Sequence, residues 1–223
     1  MLIQIILFIA IITIPAIAQA FITISYKKYS EVQNGEKLSG FEVARKILDA
    51  NNLKDMDIVS TPGTLTDHYD PSRKVVRLST DNFNDDSVAA MAVAAHECGH
   101  AIQDKEGYFL LRLRSIIFPI VRIGTGLSYI IIVVGCLLQF AGLIYAGIAF
   151  TGLGLLFQLV TLPVEINASK RAGEQLRKLG LVNTSDASGV KSVLVAAAST
   201  YLAGVLSSAL QVLRIIIALN RRN

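Results

Sequence analysis

The sequence predicts a mainly α-helical integral membrane protein with a smaller, more polar part that contains a β-hairpin or small sheet. Hydrophobic residues make up 52% of the 223 residues and charged residues only 17%. With a mean hydropathy of +0.52, the chain is too apolar for an ordinary water-soluble domain. Lys plus Arg, at 21, only slightly exceed Asp plus Glu, at 17, and no nucleic-acid-binding motif occurs. The basic excess therefore indicates membrane topology and not a nucleic-acid partner.

Two long uncharged runs predict the membrane spans. The run over residues 2–25 is 24 residues long, against about 20 needed to cross a bilayer, so residues 1–26 are predicted to be a transmembrane anchor. The run over residues 123–164 is 42 residues long, which is enough for two crossings. Residues 116–163 are therefore predicted to form a transmembrane helical hairpin that turns near residues 139–142.

The C-terminal segment, residues 192–223, is predicted to be an amphipathic or transmembrane helix. Its polar residues, including Thr200, Ser207 and Arg214, share one helical face. Such a helix either spans the bilayer with this face turned into the bundle or lies along the membrane interface. Both alternatives remain open from the sequence.

The positions of Lys and Arg predict a multi-pass protein of the cell membrane. Basic residues follow the first span, precede the second and follow the third, whereas the N-terminus and the hairpin turn have none. By the positive-inside rule, residues 27–115 and 164–191 are expected on the cytoplasmic side. Arg221 and Arg222 would also prefer that side, which weighs against a fourth crossing.

Residues 27–115 are predicted to form the first half of a cytoplasmic domain, and residues 164–191 the second half. Ser39 and Glu42 fit a capping box ahead of an amphipathic helix. Strand-like segments then follow, with a turn joining the last two into a hairpin. These segments are residues 56–60, 64–69 and 74–78.

The strongest local signal is a helix predicted over residues 86–106, which carries His96-Glu97-Cys98-Gly99-His100. Residues four apart lie on one helical face, so His96 and His100 present two imidazoles to one Zn²⁺. Glu97 points to the side of this pair, where it can act on a metal-bound water without being a ligand. The pattern predicts a zinc peptidase.

The third zinc ligand is less constrained by the sequence. Since the chain has only three His residues, the ligand is either His68 or a carboxylate. The metzincin continuation would need a glycine at 103 and a histidine at 106, where Gln103 and Glu106 stand. A carboxylate on a second helix therefore remains the favoured arrangement.

Two carboxylates are candidates on that second helix. Pro163 is predicted to end the third span, and residues 165–179 then read as a new helix stopped by Gly180. Glu165 comes first and close to the end of the span, whereas Glu174 fits a solvated surface charge. Glu165 is the preferred ligand.

Three segments of the chain are distinctive, namely Leu65-Thr66-Asp67-His68-Tyr69-Asp70-Pro71, Ala94-Ala95-His96-Glu97-Cys98-Gly99-His100-Ala101-Ile102-Gln103 and Pro163-Val164-Glu165-Ile166-Asn167-Ala168-Ser169. They resemble the YugP-like bacterial membrane zinc peptidases, and the order of motif, spans and Glu-bearing helix resembles the HtpX-type and prenyl-protein-processing enzymes. The resemblance covers nearly the whole chain.

This resemblance implies a gluzincin-like catalytic domain with zinc ligands His96, His100 and Glu165 and the catalytic base Glu97. Where the HtpX pattern has an Asp four residues after the third ligand, this chain has Ser169. The group that orients a ligand histidine is therefore left open.

The predicted function is that of a membrane-embedded zinc metalloendopeptidase that binds one Zn²⁺ per chain and cleaves membrane or membrane-associated polypeptides. The edge of the 74–78 strand is a candidate for binding an extended substrate. His68, Tyr69 and Tyr201 are candidate donors to the oxyanion. The alternative function is a non-enzymatic, metal-binding membrane adaptor.

Overall fold

The computed structural model describes residues 2–220, and its contacts divide the chain into two compact units. The site unit comprises Ala20–Tyr108 and Val164–Ser199. The span unit comprises the described residues of 1–19, 109–163 and 200–223. Arg221 and Arg222, whose charges bear on the predicted topology, lie outside the described residues.

Helices dominate the described chain. The elements are α1 (Leu2–Ser30), α2 (Gly40–Ala50), β1 (Asp57–Thr61), β2 (His68–Asp70), β3 (Val75–Ser79), α3 (Thr80–Asn84), α4 (Val88–Lys105), α5 (Phe109–Leu137), α6 (Ala141–Lys178) and α7 (Thr184–Asn220). Within residues 2–220, four helices are long and apolar enough to cross a membrane, namely α1, α5, α6 and α7.

In the span unit, α5 and α6 form the predicted helical hairpin. The helices end at Leu137 and resume at Ala141, and Gln139 in the connection has a φ of 52°. The position of the turn is thus confirmed. The two helices approach closely, since a Cβ added at Gly147 would lie 2.8 Å from the carbonyl oxygen of Ser128.

The polar face of α7 meets α1 within the span unit. The Ser207 hydroxyl donates to the Ile11 carbonyl at 3.0 Å, and Gln4 Nε2 donates to the Arg214 carbonyl at 3.2 Å. Partly buried contacts of this kind give polar groups the hydrogen-bond partners that lipid does not offer. They favour a helix whose polar face turns into the bundle over one that lies along the interface.

The prediction that Pro163 ends a helix is wrong. Helix α6 runs without a break from Ala141 to Lys178, with Pro163 inside it. A proline removes one backbone hydrogen-bond donor from a helix. Long apolar helices tolerate this loss because neighbouring groups can hydrogen-bond to the carbonyl that is freed. The predicted new helix is therefore the C-terminal part of α6, which ends just before Gly180 at a φ of 65°.

The sheet of the site unit has the order β1-β3-β2. Strand β2 pairs antiparallel with β3, with Tyr69 opposite Val76, which confirms the predicted hairpin although β2 is shorter than residues 64–69. Strand β1 pairs parallel with β3. The expectation of a free edge on the 74–78 strand is wrong, because β3 is the central strand; β2 and β1 form the edges.

Helix α4 is held at both ends by residues that the sequence singles out. The Ser87 hydroxyl accepts a hydrogen bond from the Ala90 N–H at 3.1 Å. At the other end, Gly107 follows the helix at a φ of 69°, a conformation that favours glycine. The helix predicted over residues 86–106 thus matches α4 to within two residues.

The core of the site unit packs around α4. Ser39 and Glu42 form the predicted capping box at the start of α2. Ile47 on α2, Met91 on α4 and Leu176 on α6 are all fully buried in one hydrophobic cluster. Burial of such side chains from three helices fixes α4 against its neighbours, and it thereby fixes the histidines that α4 carries.

Candidate metal centre

His96 and His100 lie one turn apart on α4, with their ring centroids 4.8 Å apart and the rings nearly perpendicular at 85°. The i, i+4 spacing puts both imidazoles on the same face of the helix. Both are largely withdrawn from solvent, with 13% and 9% of their side chains exposed. Two imidazole nitrogens therefore point into one small, sheltered space.

Glu165 of α6 completes the cluster. Its Oε2 lies 3.2 Å from His96 Nε2 and 3.4 Å from His100 Nε2, and the residue is only 1% exposed. One ligand atom from each of the three side chains falls within 4.8 Å of the others, so this group is able to hold a metal ion. Two imidazoles and one carboxylate match the donor set of catalytic zinc sites.

The two other candidate ligands lie elsewhere. The exposed His68 places its Nδ1 2.8 Å from the Thr66 carbonyl and is not part of the cluster. Glu174 is exposed, and its Oε1 lies 3.8 Å from Lys170 Nζ. The structure therefore brings Glu165, and neither alternative, to the two histidines.

Glu97 is buried beside the cluster but is not one of its three members. Burial, the main cause, raises the pKa of Glu97 from 4.5 to about 7, and the charges of Glu165 and Asp67 act in the same direction. His96 and the backbone N–H of Tyr69, which hydrogen-bonds to the carboxylate, oppose that rise in pKa. A carboxyl group with this pKa exchanges its proton readily near neutral pH.

Gln103 orients His100. The His100 Nδ1 lies 3.0 Å from Gln103 Oε1, while Gln103 Nε2 donates to the Val164 carbonyl at 2.8 Å and to Asn167 Oδ1 at 2.9 Å. Arg171 Nε donates to the same Asn167 oxygen at 2.7 Å, which fixes the Asn167 amide. The nitrogen of Gln103 must therefore face α6 and its oxygen must face His100.

Ser169 is the side chain that contacts the other histidine, His96, which the sequence left open. Its hydroxyl lies 3.2 Å from His96 Nδ1. Both candidate ligand histidines thus have Nδ1 engaged by a neutral side chain, and both direct Nε2 to Glu165. Gln103 lies three residues after His100, and this helical spacing is a sequence signal that Gln103 can contact His100. No feature of the neighbouring sequence predicts the bond from Gln103 to the distant Val164.

Tyr69 contributes its backbone and not its hydroxyl to this region. The phenol donates to Asp104 Oδ2 at 2.6 Å, and Asp104 also pairs with Lys74. Burial, followed by the hydrogen bond to Asp104, raises the pKa of Tyr69 well above its usual range. The candidate oxyanion donor is therefore engaged elsewhere, and Tyr201 belongs to the span unit.

Gly99 allows α4 and α6 to come together at the cluster, which the sequence did not reveal. A Cβ added at Gly99 would lie 2.5 Å from the carbonyl oxygen of Ala168, closer than side-chain carbons and oxygens approach. Ala168 lies between Glu165 and Ser169 along α6. The glycine inside the His96–His100 motif therefore sets the distance between the two helices that supply the three candidate ligands.

Comparison with known proteins agrees with this chemistry. Residues 4–220 match the family described as "Putative neutral zinc metallopeptidase", and the chain belongs to that family. The protein described as "Putative membrane protease YugP" from Bacillus subtilis (strain 168) is 44% identical over 207 residues, which cover 92% of this chain and 92% of that protein. No solved structure matches the chain. The resemblance to YugP-like peptidases is thereby confirmed.

Proposed function

We propose that the chain is a zinc-dependent metalloendopeptidase of the cell membrane with a gluzincin-type site. His96, His100 and Glu165 hold one Zn²⁺, and Glu97 is the catalytic base. The observation that carries this proposal is the convergence of two imidazole nitrogens and a buried carboxylate within 4.8 Å. Glu97 lies next to that group without belonging to it.

The donor set fits zinc in number and kind. Three protein ligands leave a coordination position open, which distinguishes catalytic zinc sites from closed structural ones. Ser169 and Gln103 engage the Nδ1 atoms, so the Nε2 atoms are the ones available to the metal. When bound, zinc would lower the pKa of a water molecule and polarise the carbonyl group of a peptide bond.

Glu97 moves the proton in this proposal. Its carboxylate accepts a proton from the attacking water and passes it to the nitrogen of the departing amine. A carboxylate suits both transfers, since the group must accept and release the proton in one cycle. The backbone N–H of Tyr69 on strand β2 favours the charged form of this carboxylate.

The substrates in this proposal are membrane or membrane-associated polypeptides, and the site faces the cytoplasm. Four apolar helices indicate an integral membrane protein. The Lys and Arg residues that flank the spans favour a cytoplasmic location for residues 27–115 and 164–191. Glu165 follows the last uncharged run directly along the chain, which favours chemistry close to the membrane surface.

The test is to compare the wild type with Glu97→Gln. We expect both proteins to contain one zinc per chain and only the wild type to cleave an unfolded, membrane-tethered polypeptide, because glutamine keeps the shape of Glu97 but cannot take the proton. Equal cleavage by both proteins would contradict the role of Glu97. Zinc in both without cleavage of any of several membrane substrates would favour the adaptor function.

A further inference from the structure

A groove of about 520 Å³ lies in the site unit between the C-terminal part of α6 and the N-terminal part of α7. The α6 residues that line it recur every three or four positions from Ile166 to Arg177, and those of α7 do so from Ala187 to Ala198. Each helix, α6 and α7, therefore contributes one face to the lining of the groove. Ile166 is 51% exposed and Val195 is 50% exposed, so the apolar lining is open to a ligand.

The charged residues of the groove have one sign. Lys170, Arg177 and Lys191 line it, and no Asp or Glu does. Within residues 2–220, the side chains of Arg177 and Lys191 form neither an ion pair nor a hydrogen bond. Lys170 pairs only with the exposed Glu174, at 3.8 Å. The groove therefore suits a ligand that combines apolar and anionic groups.

The groove borders the candidate metal centre through one residue. Ser169 is one of its lining residues, and the hydroxyl of the same Ser169 lies 3.2 Å from His96 Nδ1. None of His96, His100 and Glu165 lines the groove, so a ligand seated there is separated from the candidate zinc ligands by Ser169. This proximity favours a polypeptide substrate over a ligand unrelated to the site.

We propose that the groove is a substrate-binding site that takes an apolar polypeptide segment carrying acidic side chains. This proposal rests on the proposed function and names the substrate class of the same site. Apolar side chains of the substrate pack against the exposed faces of α6 and α7, as segments do in hydrophobic grooves between helices. Acidic side chains pair with Lys170, Arg177 and Lys191, which selects and positions the segment.

Binding is measured with the Glu97→Gln protein, so that the result does not depend on cleavage. The probes are two fluorescent peptides with the same apolar residues, one with Asp and Glu and the other with Lys at the polar positions. We expect the acidic peptide to bind about tenfold more tightly. Equal affinity for the two peptides would overturn the proposal even if the wild type proves to be a peptidase.

Charge reversal locates the binding site. Arg177→Glu and Lys191→Glu should each weaken binding of the acidic peptide about fivefold. Lys178→Glu is the matched control, since Lys178 is the next residue of α6, is exposed and does not line the groove. An equal loss in all three variants would mean that net charge, and not the groove, binds the peptide.

Filling the groove tests its apolar part without altering charge. A Cβ added at Gly173 meets nothing closer than the Arg177 guanidinium at 3.6 Å, so Gly173→Phe extends into the groove without a clash at its base. In the Glu97→Gln protein we expect this substitution to raise the Kd of the acidic peptide about fivefold, with zinc content unchanged. An unchanged Kd would overturn the proposal. A second result would also overturn it: the protein binds phosphatidylglycerol vesicles saturably but binds neither peptide, and Gly173→Phe abolishes the vesicle binding. The occupant of the groove would then be a lipid.

Discussion

The side-chain amide of Gln103 donates a hydrogen bond of 2.8 Å to the backbone carbonyl of Val164, the residue immediately before Glu165. The same side chain accepts a hydrogen bond from His100 Nδ1 at 3.0 Å and is fully buried. Gln103 therefore joins the two helices that carry the candidate ligands. It also holds His100 in the form that has its proton on Nδ1 and its free lone pair on Nε2.

Replacing Gln103 by Leu should weaken zinc binding. The variant keeps the side chain's bulk but leaves the buried His100 Nδ1 without its partner and removes the bond to the Val164 carbonyl, at a cost of about 1–3 kcal/mol in unfolding free energy. Loss of such an orienting partner lowers metal affinity about 10- to 100-fold. Competition with a chelator measures the affinity. Gln103→Glu, which retains the acceptor for His100, should lose less, and wild-type affinity in Gln103→Leu would contradict this role.

Gly99→Ala should separate α4 from α6. The added methyl group would lie 2.5 Å from the Ala168 carbonyl oxygen, so the helices must move apart, which costs about 1–3 kcal/mol in unfolding free energy. Zinc affinity should fall with it, because Glu165 moves with α6. Thermal unfolding in detergent measures the effect. Gly173→Ala is the control, because space is open at Gly173, and it should leave the melting temperature unchanged or raise it slightly. An equal fall in melting temperature in both variants would show that the contact of Gly99 with Ala168 does not matter.

Glu97 should make the metal-free protein less stable as the pH rises. Because burial raises its pKa from 4.5 to about 7, the folded state binds more protons than the unfolded state between these values, and stability falls there by about 3 kcal/mol. Below the lower value the carboxyl group is protonated in both states and costs nothing. The melting temperatures of metal-free wild type and Glu97→Gln should therefore diverge from pH 4.5 to pH 8, with the variant more stable at pH 8. A constant difference would show that the buried carboxylate carries no such penalty.

Surface labelling tests the proposed topology. Ser72 is exposed between β2 and β3, and Leu138 is 66% exposed in the turn between α5 and α6. In a protein without Cys98 and Cys136, a membrane-impermeant maleimide on intact cells should label Leu138→Cys and spare Ser72→Cys until the cells are lysed. The reverse pattern would place the site outside the cell.

The features that the sequence predicts best are those encoded by neighbours along the chain. The Ser39–Glu42 capping box, helix α4 with its two histidines, and the turn near Gln139 each depend on a few consecutive residues, and each forms as expected. Position along the chain also favours Glu165 over Glu174, and the structure places Glu165 at both histidines.

The features that the sequence misses depend on distant partners. Pro163 carries a local signal for a helix end, but α6 continues through it, because surrounding structure can override such a signal in a long apolar helix. The parallel pairing of β1 with β3, which takes the expected free edge away from residues 74–78, is likewise non-local. So are the bond between Gln103 and Val164 and the contact of Gly99 with Ala168, since only the packing of α4 against α6 creates them.

Zinc content per chain is the decisive measurement of whether His96, His100 and Glu165 form one zinc site. Wild type, Glu165→Ala and Glu174→Ala are purified with equal zinc exposure and analysed for metal by mass spectrometry. We expect one zinc in the wild type and in Glu174→Ala, since Glu174 is exposed, lies 3.8 Å from Lys170 and is not part of the cluster. We expect almost no zinc in Glu165→Ala. Full zinc in Glu165→Ala, or its loss only in Glu174→Ala, would contradict the assignment.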